Sequence, residues 1–345
     1  MIQDLWDYLK AVKKPIVLYG MGNGADKIIS VLEQNKVEIK GIFATDEFVR
    51  DKTFHGFKLS SYSSLKEKLG EMTVLLCFGS ARKEVLANIK RIACENELFA
   101  PDVPLYGDLL FDSNYYISKI KEFEQTKELL CDEKSKQTFE NVVLSKLTGK
   151  IEPLFECCVE NSEPYESFLK FSEDEIYCDL GAYRGDTVFE FVANAKNHSK
   201  IYAFEPDVKT FKKLCENTRN IKNEVNINAC VCAFDGKTVF SMSGSRGSSV
   251  KDKGVPVDCV TLDSVLNGSA ATFIKMDIEG EEAAAIKGAE KTILKYKPKM
   301  QIACYHRSED IIEIPKAVLS LRDDYKIYMR HFESLPAWDT CYYFV

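Results

Sequence analysis

Short apolar runs bounded by glycine or acidic turns alternate along this chain with segments whose apolar residues recur every three or four positions. The first region opens with Leu5, Leu9 and Val12 on one helical face, followed by Pro15 and an apolar run at 16–19. A glycine turn, a helix-period stretch around 26–34 and further apolar runs at 39–44 and 73–78 follow, ending near Phe111. Strands alternating with helices predict parallel pairing in a doubly wound sheet. Residues 113–170 change character. They are rich in Lys and Glu, with Ile117, Ile120, Phe123 and then Phe139, Val142, Val143 and Leu147 at helical spacing, which predicts two or three helices.

A second series of apolar runs lies at 176–180, 201–204, 225–233, 272–276, 299–305, 325–331 and 340–345, with a hairpin-like insertion at 238–260. Only residues 332–339 separate the last two runs, whereas a parallel crossover needs roughly a dozen. The last strand is therefore expected to run antiparallel. The resulting fold class is α/β: a seven-stranded, mostly parallel sheet with a reversed last strand, an arrangement that resembles class I methyltransferases. A smaller Rossmann-like α/β domain precedes it. The expected domains are 1–112, a helical connector at 113–170, and 171–345.

Charge and cysteine content narrow the partners. With 46 Lys+Arg against 53 Asp+Glu, the net charge of −7 argues against a nucleic-acid partner, because phosphate binding needs a basic face. No apolar run approaches the roughly 20 residues that span a bilayer. Residues 1–10, with Asp4, Trp6 and Asp7, lack the cationic start and apolar core of a signal peptide. The 12 cysteines include no C-x-x-C, only Cys157-Cys158 and Cys230-x-Cys232, so free thiols in a cytoplasmic protein are expected. A homo-oligomer stays open.

Three strand ends carry the candidate chemistry. Asp179-Leu-Gly181-Ala182-Tyr183-Arg-Gly185-Asp186-Thr187 lies where a strand meets a helix, and its glycines let the backbone turn and approach a ligand. Glu205 ends the next strand, where an acidic side chain can accept both hydroxyls of a ribose. In Ile274-Lys-Met-Asp277-Ile-Glu279-Gly280-Glu281-Glu282, Asp277 and Glu279 fall at a strand tip, while Glu281 and Glu282 read as complements to a helix dipole. His306 follows a third strand. Open α/β sheets bind ligands outside such carboxyl ends, so Asp179, Glu205, Asp277 and His306 converge on one crevice. His331 closes a strand in the same manner, whereas His55 and His198 read as structural.

These stretches resemble the FkbM family of S-adenosylmethionine-dependent methyltransferases. The matching pieces are 179–187, Ala203-Phe-Glu-Pro206, Thr261-Leu-Asp263, Lys275-Met-Asp-Ile-Glu-Gly280, Lys287-Gly-Ala289 and the segments around His306 and His331. The resemblance covers about 113–345 and departs from the family at Tyr183, where Asn is frequent. It implies S-adenosylmethionine as cofactor, with Asp179, Gly181, Ala182, Tyr183, Gly185 and Thr187 at its methionine end and Glu205 at its ribose. Asp277 would lie near the transferable methyl. It also implies O-methylation of a hydroxyl on a sugar or polyketide, and the acceptor expected here is a saccharide or nucleotide-sugar, or another small molecule. His306 is then the first candidate base and Asp277 the second. A divalent metal on Asp277, Glu279 and His306 ranks below a metal-free site.

The first region has a competing motif, Gly20-x-Gly22-x-x-Ala25 with Asp46 after the second strand. With Gly41–Asp46, Lys52–Gly56 and Leu75–Gly79, it resembles the lead domains of nucleotide-sugar-modifying acetyltransferases, which implies a nucleotide-sugar there. A degenerate packing domain is the equal alternative. An NAD-dependent enzyme acting through this loop is the rival reading, and it would need a catalytic Tyr-x-x-x-Lys or similar placed against that loop. The SMSGSRGSS patch at 241–249 reads as an exposed hairpin tip carrying Arg246. Tyr165 is a candidate cover for the cofactor.

Overall fold

The apolar runs of the first region become five parallel strands in the computed structural model, which describes residues 3–48, 51–241, 249–250 and 255–345. The strands are β1 (Ile16–Tyr19), β2 (Ile39–Ala44), β3 (Ser60–Ser61), β4 (Thr73–Leu76) and β5 (Glu97–Phe99). Their order is β3-β2-β1-β4-β5. The connections after β1 and β4 therefore leave the sheet in opposite directions and open a crevice at the carboxyl ends.

The second sheet has eight strands, one more than the sequence pattern predicts. They are β6 (Cys158–Val159), β7 (Glu175–Leu180), β8 (His198–Phe204), β9 (Glu224–Ile227), β10 (Phe273–Met276), β11 (Lys299–Ala303), β12 (Ile327–Phe332) and β13 (Thr340–Phe344). The order is β9-β8-β7-β10-β11-β13-β12-β6. Strand β13 lies antiparallel to both β11 and β12, and the remaining pairs are parallel. The extra strand is the two-residue β6, which pairs His331 with Cys158 and is too short to leave a periodic signal.

Two expectations need correction. The apolar run at 225–233 is not one strand: Asn228 donates from Nδ2 to the Glu205 carbonyl at 2.8 Å and turns the chain there. Cys230–Val231 then joins a separate four-stranded sheet with Val255–Val260, Gly236–Ser241 and Ser249–Val250. That pairing sets Cys230 beside Cys259, and Cys232 forms a disulfide with Cys259 across 27 residues, so the thiols are not all free. Arg246 and the rest of 242–248 lie outside the described residues.

Between the sheets stand five short helices where two or three were expected: Ser113–Ser118, Ile120–Glu128, Glu133–Thr148, Glu152–Cys157 and Glu163–Ser167. Pro153 and Pro164 near two helix starts, and Gly149 at φ +68°, break the stretch into short pieces. One apolar cluster runs through them, from Val17 and Val74 of the first sheet by way of Phe123, Phe139 and Leu147 to Ile274 and Met300 of the second. Tyr115 and Tyr116 pack edge-on and tilted against Phe123, and Tyr342 and Tyr343 are buried. Tyr165 donates to Glu190 and packs on Phe171, away from the cavity described below. Among the described residues no helix is long and apolar enough to cross a membrane.

The helical layer is pinned to the second sheet by a buried cation. Arg330 on β12 is 1% exposed and donates to Asp132 Oδ2 at 2.7 Å, Glu163 Oε2 at 2.7 Å and Ser135 Oγ at 2.8 Å. Asp132 also caps the helix Glu133–Thr148 through the Ser135 amide at 2.7 Å. Removing one partner of a buried pair strands the others, at about 3–5 kcal/mol. Arg330→Ala is expected to lower unfolding free energy by roughly that amount in urea titration. A loss below about 1 kcal/mol would show that the layer is held by its apolar contacts alone.

Candidate functional site

Strands β7 and β10 are neighbours, and their carboxyl ends come so close that only glycine fits between them. A Cβ on Gly181, at φ +89°, would lie 2.0 Å from the Asp277 carbonyl oxygen. The amides of Gly181 and Ala182 both donate to the Phe204 carbonyl, at 3.1 and 2.8 Å, which anchors the turn to β8. Tyr183 sits at φ +48° and Gly185 at φ +91°, leading into the helix Asp186–Asn194. The turn thus opens one side of a cavity of about 600 Å³ beyond the strand ends.

Gly181, Tyr183, Thr187, Glu205 and Asp277, five of the expected cofactor residues, line this cavity, as does the expected base His306. Asp179, Ala182 and Gly185 do not. Asp179 is fully buried behind the wall, bonded by the Thr187 hydroxyl and 3.4 Å from Lys275 Nζ, so it holds wall residues in place. Gly185 lies against Thr218, 2.6 Å from where its Cβ would fall.

At one end of the cavity Glu205 stands beside Ala229, Cys230 and Val231. Its Oε1 accepts the Asp207 amide at 2.8 Å. Burial pushes its carboxyl up to about 7, against the pull of that amide. Apolar wall at Ala229, Cys230 and Val231 beside the Glu205 carboxylate suits a nucleoside, whose base is flat and whose ribose offers two donors.

In the middle sits a cluster the sequence only half revealed. His306 is 1% exposed, with Nδ1 at 2.9 Å from Glu282 Oε1. Its Nε2 lies 3.4 Å from Asp277 Oδ1 and 3.6 Å from Glu279 Oε2. Glu282 is no dipole complement on a solvated helix face: it is 1% exposed and also accepts the Ile278 amide at 2.9 Å. The tight turn at Glu279 and Gly280, with φ +61° and +94°, folds that helix start back under the imidazole. Burial alone would lower the histidine pKa, but Glu282, Asp277 and Glu279 outweigh it and raise it to about 10. Tyr305 donates to Asp277 Oδ1 at 3.1 Å, and Tyr106 donates to Glu279 Oε2 at 2.9 Å. Ligand atoms of Asp277, Glu282 and His306 lie within 4.8 Å of one another.

The other histidines stand apart. His331 is buried against Thr340 Oγ1 at 2.9 Å, and burial lowers it to about 4. His55 contacts Asp26 and His198 the Lys222 carbonyl. In the first sheet the glycine loop is packed at Gly20 and Gly24 and open at Gly22, where an added Cβ would meet nothing within 4 Å. A Cβ on Gly24 would lie 2.3 Å from the Cys77 carbonyl, and one on Gly20 would lie 2.5 Å from the Phe78 ring. Asp46 accepts from the amide and hydroxyl of Ser63.

The glycine turn at Gly181, the carboxylate of Glu205 and the Asp277–His306 cluster thus share one cavity at the strand ends. Residues 179–326 match the family model described as the methyltransferase FkbM domain. Over that stretch the chain is similar to methyltransferases of the FkbM family, whose cofactor is S-adenosylmethionine. Among solved structures, methyltransferase FkbM from Methylobacillus flagellatus KT is similar at TM-score 0.71 and 23% identity, covering 96% of this chain and 90% of that one. That likeness extends over both sheets and concerns the fold. An rRNA methylase from Streptococcus thermophilus matches at TM-score 0.34 and 12% identity, over 50% of this chain and 87% of its own. Aeropyrum pernix fibrillarin with natively bound S-adenosyl-L-methionine matches at TM-score 0.35 and 13% identity, over 52% and 70%. No curated protein matches the chain.

With Glu205 at the ribose, its raised carboxyl would make cofactor binding pH-dependent. Only the carboxylate accepts two hydroxyls, so affinity for S-adenosylhomocysteine is expected to rise as pH passes upward through about 7. Glu205→Gln should bind more weakly and without that rise. Calorimetric titration at several pH values checks this, and a pH-independent wild type would remove Glu205 from the ribose.

Proposed function

We propose that this protein transfers the methyl group of S-adenosylmethionine to a hydroxyl of a saccharide or nucleotide-sugar. The supporting observation is one cavity lined together by Glu205, Asp277 and His306 and by the polar and aromatic groups of Ser80, Ser334 and Trp338. A three-part organisation at 1–112, 113–170 and 171–345 accompanies this reading, with the acceptor reaching the cavity from the side of the first part.

When bound, S-adenosylmethionine supplies a methyl group on a positively charged sulfur that an oxygen nucleophile can displace. Gly181, Tyr183 and Thr187 would hold its amino-acid end, Glu205 its ribose, and Asp277 and Glu279 would face the positive charge. The protein's share of the rate is then mostly alignment of donor and acceptor. An alcohol also has to lose its proton, and a positioned base contributes about 10²–10⁴-fold. His306 Nε2 is that base, with Glu282 fixing the ring through Nδ1. Asp277 is the second candidate. Free imidazole is scarce at neutral pH in the unliganded protein, because three carboxylates hold the proton on the ring. A second cation beside Asp277 and Glu279 shares those carboxylates and brings the imidazole pKa down, which readies the base only in the loaded site.

The expected signature is proton release. At pH 8, calorimetry in buffers of different ionisation enthalpy should show S-adenosylmethionine expelling a proton that uncharged S-adenosylhomocysteine does not, with the difference abolished in His306→Ala. Equal proton counts for the two would take the base role from His306. In the same variant, turnover is expected to fall by about 10²–10⁴-fold with S-adenosylhomocysteine affinity kept. Equal loss of affinity and turnover would make His306 a binding residue.

A further inference from the structure

The acceptor end of the cavity is built by two segments far apart in the chain. In strand order across the second sheet Glu205 follows β8, Asp277 β10 and His306 β11, and the turn between β12 and β13 comes next. That turn gives Ser334, Trp338 and Asp339 to the cavity wall, and the turn after β4 gives Gly79, Ser80 and Ala81. The turn after β4 lies at the crevice of the first sheet, so the carboxyl ends of both sheets open onto one space. The two segments are clasped by a pair of backbone hydrogen bonds, Ser80 amide to Leu335 carbonyl at 2.8 Å and Leu335 amide to Ser80 carbonyl at 3.0 Å. Leu335 is fully buried beneath them. The Trp338 ring lies directly on Gly79: a Cβ there would fall 2.0 Å from Cζ3 and 2.1 Å from Cε3. Residue 79 is therefore restricted to glycine by an indole from the other sheet.

We infer that Trp338, seated on Gly79, is the platform for the acceptor, and that the first sheet serves this protein as the acceptor-side wall of the methyltransferase site. The inference rests on the transfer reading above and assigns its specificity to particular residues. The other end of the cavity suits the nucleoside, and the carboxylate–imidazole cluster marks its middle. The remaining wall therefore faces whatever receives the methyl group. An indole offers a flat, polarisable face to the C–H bonds of a sugar ring. Ser80, Ser334 and Asp339 line the same cavity and bring polar groups to it beside the indole. A few placed polar groups around an apolar surface fix a ligand's orientation. Tyr106, on the chain leaving β5, reaches Glu279 and sends its amide to the His306 carbonyl at 3.2 Å. The first region thus touches the catalytic cluster as well as the wall.

The test is transfer of tritiated methyl to a panel of hexoses, N-acetylhexosamines and their uridine-diphosphate esters, followed by kinetics on the best acceptor. Trp338→Ala is expected to raise the acceptor KM by about tenfold, the factor that roughly 1.4 kcal/mol of lost contact gives, with S-adenosylhomocysteine affinity unchanged. Trp338→Phe should recover most of the loss, and Gly79→Val, which displaces the indole without removing it, should reproduce Trp338→Ala. An unchanged acceptor KM in Trp338→Ala and Gly79→Val, with wild-type transfer intact, overturns the platform and leaves the transfer reading standing. A parallel loss of S-adenosylhomocysteine affinity makes the pair merely structural, again overturning the platform. A wild type that binds S-adenosylhomocysteine but methylates nothing in the panel overturns the saccharide reading and the platform together.

Discussion

The site depends on how one buried imidazole is balanced among carboxylates. His306 is enclosed by Asp277, Glu279 and Glu282, an excess of negative charge that burial alone would not tolerate. A proton on the ring offsets part of it in the free protein, and a cationic cofactor offers a second offset. The geometry of the turn follows from this need. Glu279 and Gly280 adopt left-handed backbone so that Glu282 can reach back to Nδ1 while Asp277 and Glu279 stay at Nε2. A second buried pair, Lys275 with Asp179, fixes the neighbouring wall in the same manner.

Around that centre the fold supplies a crevice rather than a pit. Strand order reverses beside β7, and the close approach of Gly181 to the Asp277 carbonyl joins the two strand ends from which the flanking loops diverge. The first region adds the turn after β4, through Gly79, Ser80 and Ala81, and Leu105 to the wall of that space. Shared packing through the helical layer, closed by Arg330, holds the two sheets in register.

Strand ends were legible in the sequence because apolar runs there break into Gly, Asp, Glu or His. Runs such as 16–19 and 39–44 coincide with observed strands for that reason. Asp277, Glu205 and His306 could be placed on one crevice from topology alone. The direction of a side chain could not: Asp179 starts the same glycine turn as Gly181, yet alternation along β7 sends it behind the wall. Glu282 was hidden by its position in a first helical turn, where acids are common for dipole reasons. Trp338 and Gly79 are linked only by tertiary contact, and no local pattern connects them.

The most direct measurement of where the cofactor sits is ultraviolet photolabelling with methyl-labelled S-adenosylmethionine, followed by peptide mapping. The account predicts label in peptides spanning 179–187, 203–210 or 275–282, suppressed by excess S-adenosylhomocysteine. Suppressible label on residues 16–46 instead would place the cofactor on the first sheet's glycine loop and contradict it.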